Sequence, residues 1–178
     1  MIARLHAAKT GRYTALLAQG GIPLRPGVAR LLREARAAGI RLAIATTTTP
    51  ENVTTLLQYS LGPQAQDWFE VIASGDVVPA KKPAPDIYRY ALDKLQLLPQ
   101  DCLAFEDSEN GLRSSLGAGV RTVVTITDYT RDHDFRGAAV VLDHLGEPQQ
   151  PFNVLTTSLP LNGHQYLDLA LARRLAAG

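Results

Sequence analysis

Short apolar runs alternate with segments of helical periodicity along most of this chain, and that alternation constrains its fold more than any other feature. Residues 41–45 form a nearly continuous apolar run between Gly39 and a hydroxyl cluster. Such a run is typical of a strand buried on both faces of a parallel sheet. Comparable runs recur at residues 69–73, 102–105, 122–126 and 139–142.

Helices are predicted between these runs, because the intervening apolar residues recur at helical spacing. The predicted helices cover residues 26–39, 50–59, 86–95 and 111–118, with further helices at residues 2–18 and 166–175. Strands that alternate with helices imply right-handed crossovers and a parallel sheet covered by helices. We therefore expect an α/β fold of the doubly wound, Rossmann-like class, with ligands bound at the carboxyl ends of its strands.

Composition limits what the chain can do. Its 18 Lys and Arg residues against 17 Asp and Glu leave a net charge of +1, which gives no general attraction to nucleic acid or to anionic membranes. The single cysteine, Cys102, excludes an internal disulfide. No secretory signal and no bilayer-spanning apolar window are apparent, so a cytoplasmic location is the expectation.

Hydroxyl groups follow the first predicted strand. Thr46 to Thr49 are four consecutive threonines, and Pro50 begins a helix directly after them. Hydroxyls and free backbone amides at a helix N-terminus form a ready anion site. The alternative is that one threonine merely caps the helix.

Two adjacent lysines, Lys81 and Lys82, lie in a proline-rich loop that leads into the helix beginning at Asp86. A lysine held in this way can neutralise a phosphate or a developing negative charge. A solvated basic loop is an equally good interpretation of this pattern alone.

Two carboxylates, Glu106 and Asp107, follow the strand at residues 102–105, and Ser108 comes next. Carboxylates in this position suit magnesium, which usually takes one or two of them and keeps several waters. Helix capping by Asp107 or Ser108 is the alternative. The hydroxyl, ammonium and carboxylate groups follow successive strands, so we expect them to converge on one spot.

These residues, in this order, resemble the second, third and fourth motifs of the haloacid dehalogenase superfamily of hydrolases. The matching segments are Leu42-Ala43-Ile44-Ala45-Thr46, Lys82-Pro83-Ala84-Pro85-Asp86 and Glu106-Asp107-Ser108 with Gly111. The pattern is similar to the branch that contains beta-phosphoglucomutase and the CbbY-type sugar phosphatases. The resemblance implies magnesium-dependent hydrolysis of a phosphorylated sugar, for example xylulose 1,5-bisphosphate.

The resemblance also implies a role for each matching residue. Thr46 matches the hydroxyl that hydrogen-bonds the transferring phosphoryl group, and Lys82 matches the lysine that steadies nucleophile and phosphate. Asp107 matches the magnesium ligand, and Glu106 would support or join that metal shell. The substrate-binding candidates are Lys9, which matches a lysine of the helical cap, and Thr48 and Asn52, which could line the phosphate site.

The first motif of the superfamily, an apolar strand running into Asp-x-Asp-Gly-Thr, has no counterpart in the 178 residues. Asp76, Asp128 and Asp143 follow apolar residues but lack the second aspartate and the Gly-Thr turn. In the superfamily this motif supplies the nucleophile that forms an aspartyl-phosphate intermediate. We therefore expect an N-terminally truncated chain that is inactive alone.

The expected organisation is a remnant of the helical cap at residues 1–22, a core domain at 23–146 that lacks its first strand, and a linker with a C-terminal helix at 147–178. Loss of that strand predicts exposed sheet edges and a tendency to associate, whereas a full-length protein is expected to be a monomer. A phosphosugar mutase and a non-catalytic phosphate-binding remnant are the alternative functions.

Overall fold

The computed structural model describes residues 23–178, so the helix predicted at residues 2–18 and the candidate Lys9 lie outside the described residues. The five helices of the described part are α1 Val28–Ala37, α2 Pro50–Leu61, α3 Asp86–Leu95, α4 Glu109–Gly117 and α5 Leu169–Ala177. Its strands are β1 Ala43–Ala45, β2 Val71–Ala73, β3 Leu103–Glu106, β4 Arg121–Thr125, β5 Val140–Leu142 and β6 Val154–Thr157. Two short 3₁₀ helices, Ala65–Trp68 and Pro99–Asp101, precede β2 and β3.

The strands form two hydrogen-bonded groups. β1 pairs with β2 in parallel, and the second group has the order β3-β4-β5-β6. In that group β3, β4 and β5 are parallel, and β6 joins β5 antiparallel. Among residues 23–178 no strand connects β1 to β3, so each of these strands has one edge without a β partner in the described part of the chain.

Helices cover both faces of the larger group, as strands apolar on both faces require. Val123 of β4 packs in a core with Leu31 of α1 and Leu171 of α5, whereas its neighbour Val124 packs against Leu112 of α4. Consecutive strand residues therefore bury opposite sides.

The smaller group of strands lies between α2 and α3. Ile44 and Ile72 pack with Val53 of α2, and Ala45 packs with Ile87 of α3. The other end of α3 reaches the larger group, where Leu92 packs against Ala104 of β3. Helix α3 therefore packs against both strand groups.

The start of α1 is fixed by a close backbone approach. Gly27 adopts a φ of 87°, in the region that favours glycine. A Cβ at this position would collide with the carbonyl oxygen of Gly146, 2.5 Å away. Glu147 then accepts a hydrogen bond from the Gly27 amide at 2.9 Å and forms an ion pair with Arg30, so the segment after β5 is anchored on this helix.

The expected α/β class with parallel pairing is confirmed, and each strand and helix predicted between residues 23 and 146 is present. The structure adds β6, which the sequence pattern did not indicate. β6 lies between the predicted linker and the C-terminal helix, and all four of its residues are exposed. An edge strand without a buried face carries no alternating apolar signal, which explains why it was missed.

Candidate active site

Thr46 lies directly after β1, and its backbone amide donates to the carbonyl oxygen of Ala73 at 2.9 Å. Its hydroxyl oxygen accepts from the amide of Thr48 at 3.2 Å. Thr49 is the N-cap residue of α2, but its side chain makes no capping bond. Thr49 therefore does not cap this helix with its side chain, and an anion site at these threonines stays a prediction.

Asn52 supports this turn from within α2. Its side-chain amide donates to the Thr48 hydroxyl at 3.1 Å. The Asn52 amide oxygen is buried and has no hydrogen-bond partner in the described part of the structure. Asn52 thus orients Thr48, and direct contact of either residue with a substrate stays a prediction.

The two lysines of the proline-rich loop have different ion-pair partners. Lys81 pairs with Asp76 at 2.5 Å and is 43% exposed, whereas the Lys82 side chain is 14% exposed. The Lys82 ammonium donates to the Ala45 carbonyl oxygen at 3.0 Å and to Glu106 Oε1 at 2.5 Å. Lys82 therefore bridges the carboxyl ends of β1 and β3, next to Thr46.

Glu106 is a buried acceptor at the end of β3. Its side chain is only 7% exposed, and Oε1 accepts a second hydrogen bond from the hydroxyl of Tyr88 on α3. Burial, followed by the nearby Glu106 carboxylate, raises the pKa of Tyr88. The hydroxyl is consequently a neutral donor throughout the physiological range.

Ser108 caps α4, and Asp107 does not. The Ser108 hydroxyl oxygen accepts from the Gly111 amide at 3.2 Å, as an N-cap residue does. Asp107 is exposed and lies near enough to Tyr88 to influence it electrostatically. Capping thus leaves the Asp107 carboxylate available at the strand end.

Magnesium fits this donor set in one specific way. The described residues contain no group of three or more His, Cys, Asp or Glu side chains able to enclose a metal. Asp107 alone offers an exposed carboxylate at this strand end, because Glu106 is buried and already accepts two hydrogen bonds. A cation that keeps several waters and takes one or two protein carboxylates matches such an open site.

A cavity of about 620 Å³ lies near the ends of β4 and β5, and its lining includes Arg25, Arg131 and Asp143. None of Thr46, Lys82 and Glu106 lines it. The Arg25 guanidinium donates to backbone carbonyl oxygens of Thr125, Ile126 and Asp143. These carbonyl oxygens hold the Arg25 guanidinium in place. Chemistry at Lys82, outside this cavity, stays a prediction.

Sequence reasoning singled out Thr46, Lys82, Glu106 and Asp107 together, and the structure brings Lys82 and Glu106 into contact beside Thr46. Sequence reasoning missed Tyr88, because a tyrosine in an amphipathic helix carries no motif signal. Gly111 was noted only as part of the motif. Its packing role comes from the fold: a Cβ there would overlap the Glu106 carboxylate.

None of the helices between residues 23 and 178 has the length and apolar character that a membrane crossing requires.

The chain is similar in sequence and in fold to proteins named CbbY. CbbY encoded on a plasmid of Cupriavidus necator is 47% identical over 95% of this chain and 65% of its own length. CbbY of Rhodobacter sphaeroides, solved with phosphate and, as a mutant, with xylulose 1,5-bisphosphate, is 52% identical with a TM-score of 0.77. That similarity covers 80% of this chain and 64% of the solved one.

A putative beta-phosphoglucomutase from Thermotoga maritima is more distant. It is 26% identical with a TM-score of 0.63, over 78% of this chain and 62% of that protein. The chain therefore spans somewhat less than two thirds of the length of each of these relatives.

The model of the haloacid dehalogenase-like hydrolase family matches residues 3–119. This match covers every described site residue, from Thr46 to Gly111. The chain belongs to the haloacid dehalogenase-like hydrolases.

Proposed function

We propose that this chain carries the phosphate-binding half of a magnesium-dependent phosphatase that acts on a phosphorylated sugar, with a sugar bisphosphate such as xylulose 1,5-bisphosphate as the substrate class. The observation that carries the proposal is the bridge made by Lys82. One ammonium group contacts the Ala45 carbonyl oxygen and Glu106, and so unites the ends of β1 and β3 beside Thr46.

Lys82 supplies the positive charge of the proposed site. An ammonium group has three donors, and in the described residues two of them are used by Ala45 and Glu106. The remaining donor can meet an oxyanion held by the Thr46 hydroxyl and the neighbouring backbone amides. Because the Lys82 side chain is mostly shielded from water, its charge acts on the anion more strongly than a solvated lysine would.

Asp107 is the proposed magnesium ligand, and Glu106 supports the site by holding Lys82. Bound magnesium would neutralise charge on the phosphoryl oxygens. In-line attack by an aspartate, giving an aspartyl-phosphate that water hydrolyses, requires a nucleophile. The 178 residues contain no Asp-x-Asp-Gly-Thr segment to supply it, so we propose that this chain binds phosphate esters without turning them over.

The phosphatase is favoured over a phosphosugar mutase by similarity. CbbY of Rhodobacter sphaeroides is 52% identical, against 26% for the Thermotoga maritima protein. A mutant of the same CbbY was solved with a sugar bisphosphate. A cytoplasmic location and a monomeric full-length protein remain part of the proposal.

Isothermal titration calorimetry of the chain with xylulose 1,5-bisphosphate and magnesium tests this proposal. We expect binding that weakens about tenfold or more in Lys82→Met, since a charge-assisted hydrogen bond to phosphate is lost. The matched control Lys81→Met should bind like the wild type, because the Lys81 ammonium is held by Asp76 and the Gly75 carbonyl oxygen and not by Ala45 or Glu106. Absence of binding at millimolar ligand would remove the proposal, and turnover by the chain alone would show that a nucleophile had been overlooked.

A further inference from the structure

We propose that Tyr88 is a positioning residue of this site: its hydroxyl holds the Glu106 carboxylate, and through it fixes the Lys82 ammonium beside Thr46. The inference deepens the proposed function and rests on it for the identity of the anion. Tyr88 lies within the residues that the family model matches but outside the three motif segments quoted for the resemblance.

The first step is that Tyr88 reaches both members of the ion pair. Its hydroxyl donates to Glu106 Oε1, and its ring centroid lies 5.1 Å from the Lys82 ammonium nitrogen. Tyr88 projects from α3, the helix that packs beneath both strand groups. It is therefore attached to the element that sets the separation of β1 and β3.

The second step concerns how Glu106 is held. Oε1 accepts from both Lys82 and Tyr88, and a carboxylate oxygen has two lone pairs to offer. Oε2 lies against Gly111, where there is no space for even a Cβ. Lys82 and Tyr88 hold Oε1, and Gly111 of α4 packs against Oε2, so the Glu106 carboxylate is confined to one orientation.

The third step links that orientation to Lys82. The lysine side chain has several rotatable bonds, and fixing it costs conformational entropy. Glu106 is the only charged partner of Lys82 among the described residues. A carboxylate that cannot turn therefore determines where the ammonium lies. Without the Tyr88 hydroxyl, Glu106 could rotate and Lys82 could leave Ala45.

The test compares Tyr88→Phe with the matched control Tyr90→Phe, both in the complete chain. The substitution at position 88 keeps the aromatic ring beside Lys82 and removes only the hydroxyl donor. Tyr90 lies on the same helix, and its ring faces Lys94 at 5.6 Å. Each variant is studied well below its own thermal midpoint.

The first measurement is the affinity for inorganic phosphate in the presence of magnesium, by calorimetry. We expect Tyr88→Phe to weaken phosphate binding about tenfold, the scale of one hydrogen bond to a charged group, and Tyr90→Phe to leave it unchanged. A purely structural role for Tyr88 would lower the thermal midpoint of the variant and leave its phosphate affinity equal to that of the wild type. That result would overturn the inference.

The second measurement needs no ligand, so it separates this inference from the proposed function. Nitrogen-15 NMR of the Lys82 ammonium reports how fast its protons exchange with water, which depends on the hydrogen bonds that it donates. We expect faster proton exchange and a shifted signal in Tyr88→Phe but not in Tyr90→Phe. An unchanged Lys82 signal would overturn the inference even if phosphate binds, and a changed signal would support it even if the wild type binds no phosphate.

If Tyr88→Phe does not fold, 3-fluorotyrosine incorporation asks the same question with the hydroxyl retained and made a stronger donor. Slower exchange of the Lys82 ammonium protons than in the unlabelled chain is then expected. Equal exchange in the two preparations would overturn the inference.

Discussion

The carboxylate of Glu106 lies directly against Gly111, so that a Cβ at position 111 would overlap Oε2. The end of β3 and the first turn of α4 thus approach each other more closely than any side chain permits. The buried carboxylate of Glu106, on β3, therefore lies against the first turn of a helix whose N-cap is Ser108.

Gly111→Ala should consequently destabilise the protein. In an unconstrained helix, alanine is favoured over glycine by about 1 kcal/mol. Here the added methyl group must displace Glu106, and we expect a net loss of about 1–3 kcal/mol, measured by urea denaturation. Gly117→Ala, in the last turn of the same helix, meets only the Pro85 side chain at 3.3 Å and is the control. Equal effects of the two substitutions would show that Glu106 moves freely.

Thr46→Val should weaken binding of inorganic phosphate with magnesium by about tenfold, because it removes one donor to a charged ligand and little volume. Thr46→Ser keeps the hydroxyl and should bind like the wild type. Calorimetry on both variants checks this, with circular dichroism to confirm that each is folded. Equal affinities for valine and serine would exclude the Thr46 hydroxyl from the site.

Asp143 should contribute stability that disappears in acid. Although burial raises the pKa of Asp143, hydrogen bonds from the Asn153 backbone and side chain and from the His144 amide outweigh it, so the pKa is lowered overall. A carboxyl with a lowered folded pKa stabilises the fold above its unfolded pKa, and the contribution is lost as pH falls through the folded pKa.

Asp143→Asn should therefore be less stable than the wild type above about pH 5, and the difference should shrink below about pH 4. Urea denaturation at about pH 7 and about pH 3 gives the two values. A difference that is constant with pH would mean that the ionised form of Asp143 is not what holds the segment at Asn153.

Self-association is expected through the unpaired edges of β1 and β3. Within residues 23–178, β1 and β3 each pair on one side only, and Phe105 of β3 is 42% exposed. Unpaired edges with exposed apolar side chains pair with other chains. Sedimentation velocity should show concentration-dependent association that Phe105→Thr reduces.

Leu98→Thr is the matched control for this prediction. Leu98 is 59% exposed but lies outside the strands, so its replacement should leave association unchanged. A monomer at all concentrations, or an equal effect of both substitutions, would contradict the edge as the cause.

The sequence predicted the parts of this structure that depend on local patterns. Apolar runs and helical spacing located β1 to β5, and the rule that parallel strands share a carboxyl edge predicted that Lys82 and Glu106 would meet. The residue pattern alone could not say which of two adjacent lysines contacts Glu106, because Lys81 and Lys82 are chemically identical and only the path of the loop separates them. The family resemblance had singled out Lys82.

The sequence pattern could not predict side-chain contacts between elements that are distant in the chain. The Tyr88 hydroxyl reaches from α3 to β3, and nothing in the spacing of α3 distinguishes it from the other partly buried tyrosine, Tyr90. The capping alternatives at Asp107 and Ser108 were equally reasonable by residue type. Ser108 makes the bond to the Gly111 amide, and that geometry leaves Asp107 exposed.

The most direct measurement of the central claim is an NMR titration of the nitrogen-15-labelled chain with inorganic phosphate and magnesium. We predict that backbone amide signals shift most at Thr46, Lys82 and Asp107, and little at Arg25 and Arg131 beside the neighbouring cavity. Shifts concentrated at that cavity, or none at millimolar phosphate, would contradict a phosphate site built on Lys82.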